Sequence, residues 1–345
     1  MRVGIVNDLR LATEALRRVV SSDPNLEIAW TAADGQEAVD RCAEDLPDVV
    51  LMDLVMPVMN GAEATREIMS RFPCPVLVVT ATVSGNYGLV CEALGYGAYD
   101  AVCTPMLGDS PPEEAGASLL AKLKSVDRIR RDMASAPHVP KPVPPADALP
   151  SGIPTRRTPL VAIGSSTGGP QALERILSVW PEDFPASVVV VQHIAAEFAA
   201  PLAQWLQERS AVKVRPAVDG EELQPGVVLV AATNDHLDMR NDRRLAYRVE
   251  PTNTPYRPSV DTLFESLDQH WHDPAVAVVL TGIGRDGAKG LLKLRQRGWH
   301  TIAQDEKSSV VYGMPMAAAQ LGAAKRILPI DEIAEHIAGH VRRLV

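Results

Sequence analysis

The chain has 345 residues, with Lys+Arg 34 against Asp+Glu 43, a net charge of −9 and 46% hydrophobic residues. That length suits two domains of ordinary size, and the acidic balance gives a nucleic-acid role no electrostatic support. No apolar run approaches the roughly 20 residues that membrane insertion needs. The opening Met1-Arg2-Val3-Gly4-Ile5-Val6 reads as a strand rather than a signal peptide, so a cytoplasmic location is expected.

Residues 1–125 alternate strand and helix. The pattern predicts strands at Val3–Val6, Glu27–Ala33, Val49–Met52, Val76–Thr80 and Asp100–Cys103, and helices at Arg10–Val20 and Gly35–Glu44. In the first helix Leu11, Ala15, Leu16 and Val19 share a face. Leu119–Arg131 has helical spacing and closes this domain. Continuous apolar strands separated by helices predict a doubly wound parallel sheet, with function at the carboxyl ends of the strands. Cys42, Cys74, Cys91 and Cys103 form no CxxC pair and are expected as buried thiols of a reducing compartment.

Asp8 follows the first strand and Asp53 ends the third. Neighbouring strands in such a sheet bring the two carboxylates to one edge, where hard oxygen ligands suit Mg²⁺. A proline-rich stretch near Pro137–Pro159 predicts an extended linker, assigned to 126–157.

From Leu160 the α/β alternation resumes. Strands are expected at Val188–Gln192, Val227–Ala231, Ala275–Thr281 and Thr301–Gln304. Helices are expected at Pro170–Trp180, Leu202–Glu208, Val260–His270, Gly287–Gln296 and Met316–Leu321, with a hairpin turn at Asn241-Asp242. Gly164-Ser165-Ser166-Thr167-Gly168 fits the G-x-S-x-G pattern of a nucleophile elbow. A glycine-rich strand-to-helix turn also serves to bind phosphate or simply to reverse the chain.

A serine nucleophile needs a base, and the base an orienting carboxylate. His193 and Asp286 each follow an apolar strand. His236, after Val227–Ala231, competes for the role of base, whereas His270, His272 and His300 are expected in solvent. The chain order Ser–His–Asp is neither that of α/β-hydrolases nor that of chymotrypsin.

Residues 1–125 resemble the receiver domain of two-component response regulators, through Leu51-Met52-Asp53-Leu54-Val55-Met56-Pro57-Val58-Met59-Asn60-Gly61. The resemblance implies phosphorylation of Asp53 by a histidine kinase, with Mg²⁺ at Asp8 and Asp53 and Thr80 contacting the phosphoryl group. Three positions depart from the receiver pattern. Asn7-Asp8 stands for an acidic pair, Thr104 for a lysine and Ala101 for an aromatic switch residue.

Residues 158–345 resemble the catalytic domain of chemotaxis protein-glutamate methylesterases. The likeness lies in Ile163-Gly164-Ser165-Ser166-Thr167-Gly168-Gly169-Pro170, Gln192-His193, Arg257-Pro258-Ser259-Val260-Asp261, Gly284-Arg285-Asp286-Gly287 and Gly313-Met314-Pro315. Ser165 stands where alanine is commoner, and Ile283 where methionine is usual. The family implies Ser166, His193 and Asp286 as the triad, Thr167 and Ile283 in support, and chemoreceptors as substrate, in a monomer. Val6-Asn7-Asp8 and Thr104-Pro105 resemble a subgroup tied to surface sensing. The competing readings are a signalling adaptor with an idle second domain, and a hydrolase of another ester or amide.

Overall fold

The computed structural model describes residues 1–72, 74–81, 87–106, 111–134 and 159–345. The chain divides into two compact units, Met1–Ala136 and Pro137–Val345. In the first unit the elements run β1 Arg2–Val6, α1 Arg10–Ser21, β2 Glu27–Ala32, α2 Gly35–Glu44, β3 Val49–Met52 and α3 Gly61–Arg71. They continue as β4 Val76–Thr80, α4 Tyr87–Gly95, β5 Asp100–Cys103, α5 Pro112–Ala115 and α6 Ala117–Ala134. The five strands pair in the order β2-β1-β3-β4-β5, each neighbouring pair parallel. The expected parallel α/β architecture is present, and strand order reverses between β1 and β3, where Asp8 and Asp53 lie.

The second unit runs β6 Leu160–Ser165, α7 Gly169–Leu177, β7 Ser187–Gln192, α8 Ala196–Gln207, β8 Lys213–Pro216, β9 Glu221–Glu222 and β10 Val227–Val230. It goes on through β11 His236–Met239, β12 Arg244–Arg248, α9 Val260–His270, β13 Ala275–Val279 and α10 Ala288–Gln296. β14 His300–Gln304, α11 Met314–Gln320, β15 Arg326–Leu328 and α12 Ile330–Arg342 complete it. A parallel sheet has the order β15-β14-β13-β6-β7-β10-β8, and β11, β12 and β9 form a small antiparallel sheet. All six residues of β6 and of β7 are buried, as expected of central strands covered on both faces. β6 sits between β13 and β7, the strands that precede Asp286 and His193, so the three sequence segments of interest end side by side.

Several expectations are corrected. Leu11 is 88% exposed: it lies off the stripe that Ala15, Leu16, Val19 and Val20 bury. Cys103 is exposed at the last position of β5, while Cys42, Cys74 and Cys91 are buried. α8 begins at Ala196 rather than Leu202, because Pro201 sits inside the helix instead of before it; it has no N–H to donate to the carbonyl one turn back. α7 ends at Leu177, short of Trp180. α6 runs to Ala134, and the proline-rich stretch beyond lies outside the described residues. Among the described residues no helix is long and apolar enough to cross a membrane.

β6 and α9 touch closely. A Cβ at Gly164 would lie 2.2 Å from Val260 Cγ1, so Gly164→Ala overpacks a fully buried site. The substitution should destabilise the second unit by about 1–3 kcal/mol, read as a lower urea midpoint at unchanged slope.

Candidate active site

The register Ser165↔Gln192 ends the parallel β6–β7 pair. Ser166 and His193 therefore come next on adjacent strands, about 4.8 Å apart in backbone spacing. The Ser166 N–H donates to Thr281 O at 3.0 Å, tying the turn to the end of β13. The turn then enters α7 through Gly168, whose φ of 78° is the left-handed conformation glycine adopts without strain. At Gly282 a Cβ would lie 2.7 Å from Ser166 Cβ and 2.4 Å from Met314 Sδ, so the backbone passes the serine at a distance only glycine allows.

His193 and Asp286 are in contact: Nε2 lies 2.9 Å from Asp286 Oδ2. Asp286 also accepts from Ser259 Oγ at 2.9 Å, Val260 N at 2.6 Å and Asp261 N at 3.1 Å. Burial opposes its ionisation. The hydrogen bond and charge of His193, with the Asp261 and Val260 N–H groups, outweigh burial and hold it below the usual carboxylate range. Asp261 moves the opposite way, raised by burial and by the charge on Asp286. Two adjacent carboxylates, Asp286 buried and Asp261 half-buried, do not ionise independently, and the bonds favour Asp286 as the charged one.

His193 Nδ1 is buried without a hydrogen-bond partner. The Ser166–His193 hydrogen bond is thus not formed in this structure; such bonds often tighten only with substrate present. Tyr256 stacks on the imidazole with ring centroids 4.3 Å apart and planes 8° apart, and its hydroxyl donates to Ile283 O at 3.4 Å. Thr167 is buried, its Oγ1 unpartnered and its carbonyl accepting from Thr281 Oγ1 at 2.8 Å. Among the described residues no acceptor is bonded to the N–H of Thr167 or Ile283.

The competing His236 is fully buried with both nitrogens engaged. Nε2 donates to Pro251 O at 3.0 Å, and Nδ1 accepts from Ser259 N at 3.1 Å. It is therefore a neutral support for Ser259 and has no free nitrogen to act as base. Sequence reading assigned no role to Tyr256, Ser259 or Gln192. Gln192 and Ser259 lay inside the quoted motifs and Tyr256 beside one, but their partners are distant in sequence.

At the first unit's carboxyl edge, Asp53 Oδ1 accepts from its neighbour Leu54 N at 2.7 Å, and Oδ2 from Asn7 Nδ2 at 3.0 Å. Burial raises the Asp53 pKa, opposed by the Leu54 N–H, and the charge on Asp8 raises it further. A divalent cation relieves such repulsion, so the pair fits Mg²⁺. Among the described residues no group of three or more His, Cys, Asp or Glu is placed to hold a metal, so the ion would keep most of its waters. Gly61 lets α3 approach, since a Cβ there would lie 1.8 Å from Asp53 O. Thr80 is buried at the end of β4. Ala101 is fully buried, and the Thr104 hydroxyl is buried without a partner.

Residues 161–337 match the family model for CheB methylesterase, and residues 3–109 that for the response regulator receiver domain. The chain belongs to the CheB methylesterase family. A protein-glutamate methylesterase/protein-glutamine glutaminase of Pseudomonas savastanoi pv. phaseolicola is 49% identical, covering 98% of each chain. One from Burkholderia thailandensis is 50% identical over 99% of this chain and 98% of its own. The crystal structure of the Thermotoga maritima CheB methylesterase catalytic domain matches 53% of this chain and 98% of its own, at 36% identity and TM-score 0.51. The chain is thus a receiver-linked protein-glutamate methylesterase, a carboxylic ester hydrolase, and protein-glutamine glutaminase, an amidase.

His300, expected in solvent, is corrected. It is half-buried at the start of β14, stacked on His340 at 4.2 Å and on His336 at 5.0 Å. Burial, then the neighbouring charges, pushes His300 down to about 3 and His340 down to about 4, from 6.5. The unfolded chain thus binds protons that the folded one refuses, so stability is full above about 6.5 and falls as pH drops below it. The melting temperature should decline from pH 6.5 to 5, and His300→Phe should flatten that decline. An equally steep fall in the variant would assign the protons elsewhere.

Proposed function

We propose that Ser166 attacks the γ-carbonyl of a glutamyl methyl ester on a chemoreceptor, with His193 as base and Asp286 as the carboxylate that orients it. The observation carrying this reading is the His193 Nε2–Asp286 bond with Nδ1 left unpartnered. One ring nitrogen is committed to the acid, so the proton from Ser166 goes to Nδ1. The resulting imidazolium faces an ionised carboxylate held by three further donors, which stabilises its charge.

The Thr167 and Ile283 N–H groups are the donors for the tetrahedral oxyanion. Collapse expels methanol with the proton from His193 and leaves a glutamyl ester on Ser166. Water, deprotonated by the same nitrogen, hydrolyses that ester to glutamate and free serine. A receptor glutamine follows the same course with ammonia leaving, which gives glutaminase activity.

Regulation rests on Asp53. A histidine kinase of the same pathway donates the phosphoryl group, and Mg²⁺ at Asp8 and Asp53, when bound, neutralises charge on it. Thr80 is the hydroxyl that meets the phosphoryl oxygens. In the unphosphorylated chain the receiver unit keeps the esterase activity low, and the phosphoryl charge on Asp53 raises it.

Methanol release from a methylated receptor tests the nucleophile. Ser166→Ala and His193→Ala should each cost on the order of 10⁶-fold in kcat, because such residues act as a unit. Wild-type turnover by Ser166→Ala would reject the assignment. Removing residues 1–150 should raise the basal rate in the same assay, and an unchanged or lower rate would reject autoinhibition.

A further inference from the structure

Gln192 is 1% exposed, and its amide is wholly committed. Its Nε2 donates to Ser166 O at 2.9 Å and to His193 O at 3.0 Å, and its Oε1 accepts from Ser165 Oγ at 2.7 Å. The orientation is chemically determined: both carbonyl oxygens only accept, so the nitrogen must face them and the serine hydroxyl must donate to the oxygen. Gly169 belongs to the same arrangement. A Cβ there would lie 2.0 Å from Gln192 Oε1.

The two carbonyls belong to the proposed nucleophile and the proposed base themselves. Ser166 O also accepts from Gly169 N at 2.7 Å, so this oxygen is bonded twice. The Ser166–Thr167 peptide is not among the cis bonds and is therefore planar and trans, with its N–H directed opposite to its carbonyl. Holding the Ser166 carbonyl on Gln192 thus aims the Thr167 N–H the other way. On the His193 side the N–H donates to Ser165 O at 3.0 Å while the carbonyl accepts from Gln192, so the backbone is fixed on both sides of the imidazole-bearing carbon.

We propose that Gln192 is a positioning residue for the esterase reaction: it sets the direction of the Thr167 oxyanion donor and the spacing of Ser166 from His193 through the carbonyls of both. This rests on the reading of Ser166 and His193 given above. Ser165 completes the arrangement from the hydroxyl side without touching either carbonyl.

The experiment uses the full-length chain and membranes carrying a receptor with labelled methyl esters, and reads kcat and KM from methanol release. Gln192→Met preserves side-chain volume and removes both donors. Its kcat should fall about 10²–10³-fold, the scale of losing one oxyanion donor. Its KM should stay within about threefold, as for an interaction used only in the transition state. Ser165→Ala leaves both carbonyl bonds in place, and its kcat should fall less than about tenfold, since one neutral hydrogen bond is lost.

Gln192→Glu exchanges the donor nitrogen for an acceptor. Its deficit relative to the parent should shrink as pH is lowered, because a protonated carboxyl donates once more. A fold-only role would not produce that trend. Parent-like kcat in folded Gln192→Met overturns the proposal, and so does a deficit in Gln192→Glu that is constant with pH. Loss of folded protein in both variants would show that Gln192 serves stability alone, and overturns it too. Turnover by Ser166→Ala in the same assay would instead reject the nucleophile assignment, which separates the two failures.

Discussion

The catalytic unit is arranged around one buried anion. A carboxylate as enclosed as Asp286 costs several kcal/mol to bring out of water unless its oxygens are fully bonded. Here the solution is the start of α9. Val260 and Asp261 supply N–H groups that a helix end leaves free, Ser259 adds its hydroxyl, and the same hydroxyl accepts from Thr262 N at 3.2 Å. The helix thereby satisfies its first turn and the ion satisfies its lone pairs with the same bonds. Gly164 and Gly287 both lie against Val260, where a side chain on either would push the helix start away from Asp286. His236 holds the Ser259 N–H, so a histidine that does no chemistry in this reading still acts on the anion from two bonds away.

That arrangement decides which imidazole nitrogen of His193 is left free. In the familiar serine-protease arrangement the acid takes Nδ1 and Nε2 faces the nucleophile. In this chain Asp286 lies on Nε2, so the base of the proposed reaction is Nδ1. Tyr256 covers one face of the ring. Rotating the imidazole to exchange its nitrogens would forfeit the Asp286 contact and leave a buried charge short of a partner, so the ring has a single well-bonded setting.

How much of this could be read from sequence varies by the kind of interaction. The strand Val49–Met52 coincides with the structure because an uninterrupted apolar run between Asp48 and Asp53 leaves little choice of ends, and the expected bounds of Val76–Thr80 and Asp100–Cys103 coincide as well. The sequence pattern sets no bounds for α3, α4, α5 or α12, and α12 mixes its apolar stripe with histidines and acids. Nothing local to His300 announces its contacts with His336 and His340 on a helix far along the chain. The same holds for Gln192 and Tyr256. Motifs locate chemistry-bearing residues, whereas the partners of a buried amide or ring come from strand order, which composition does not encode.

The receiver edge obeys the same electrostatics with a different outcome. Asp53 is buried, and Asn7 bonds one of its oxygens through Nδ2, while Asn7 Oδ1 accepts from Leu9 N at 2.8 Å. An acid at position 7 would add a third negative charge beside Asp8 and Asp53; the amide instead donates to the Asp53 carboxylate. In the proposed reading a phosphoryl group on Asp53 would displace or recruit that donor, because Asn7 already bonds the carboxylate. With Ala101 sealed in the core and Thr104 carrying neither a charge nor a satisfied hydroxyl, β5 has no ammonium to draw toward new negative charge. In the reading proposed above, new charge at Asp53 would meet Asn7 at the end of β1 and Thr80 at the end of β4, and no lysine on β5.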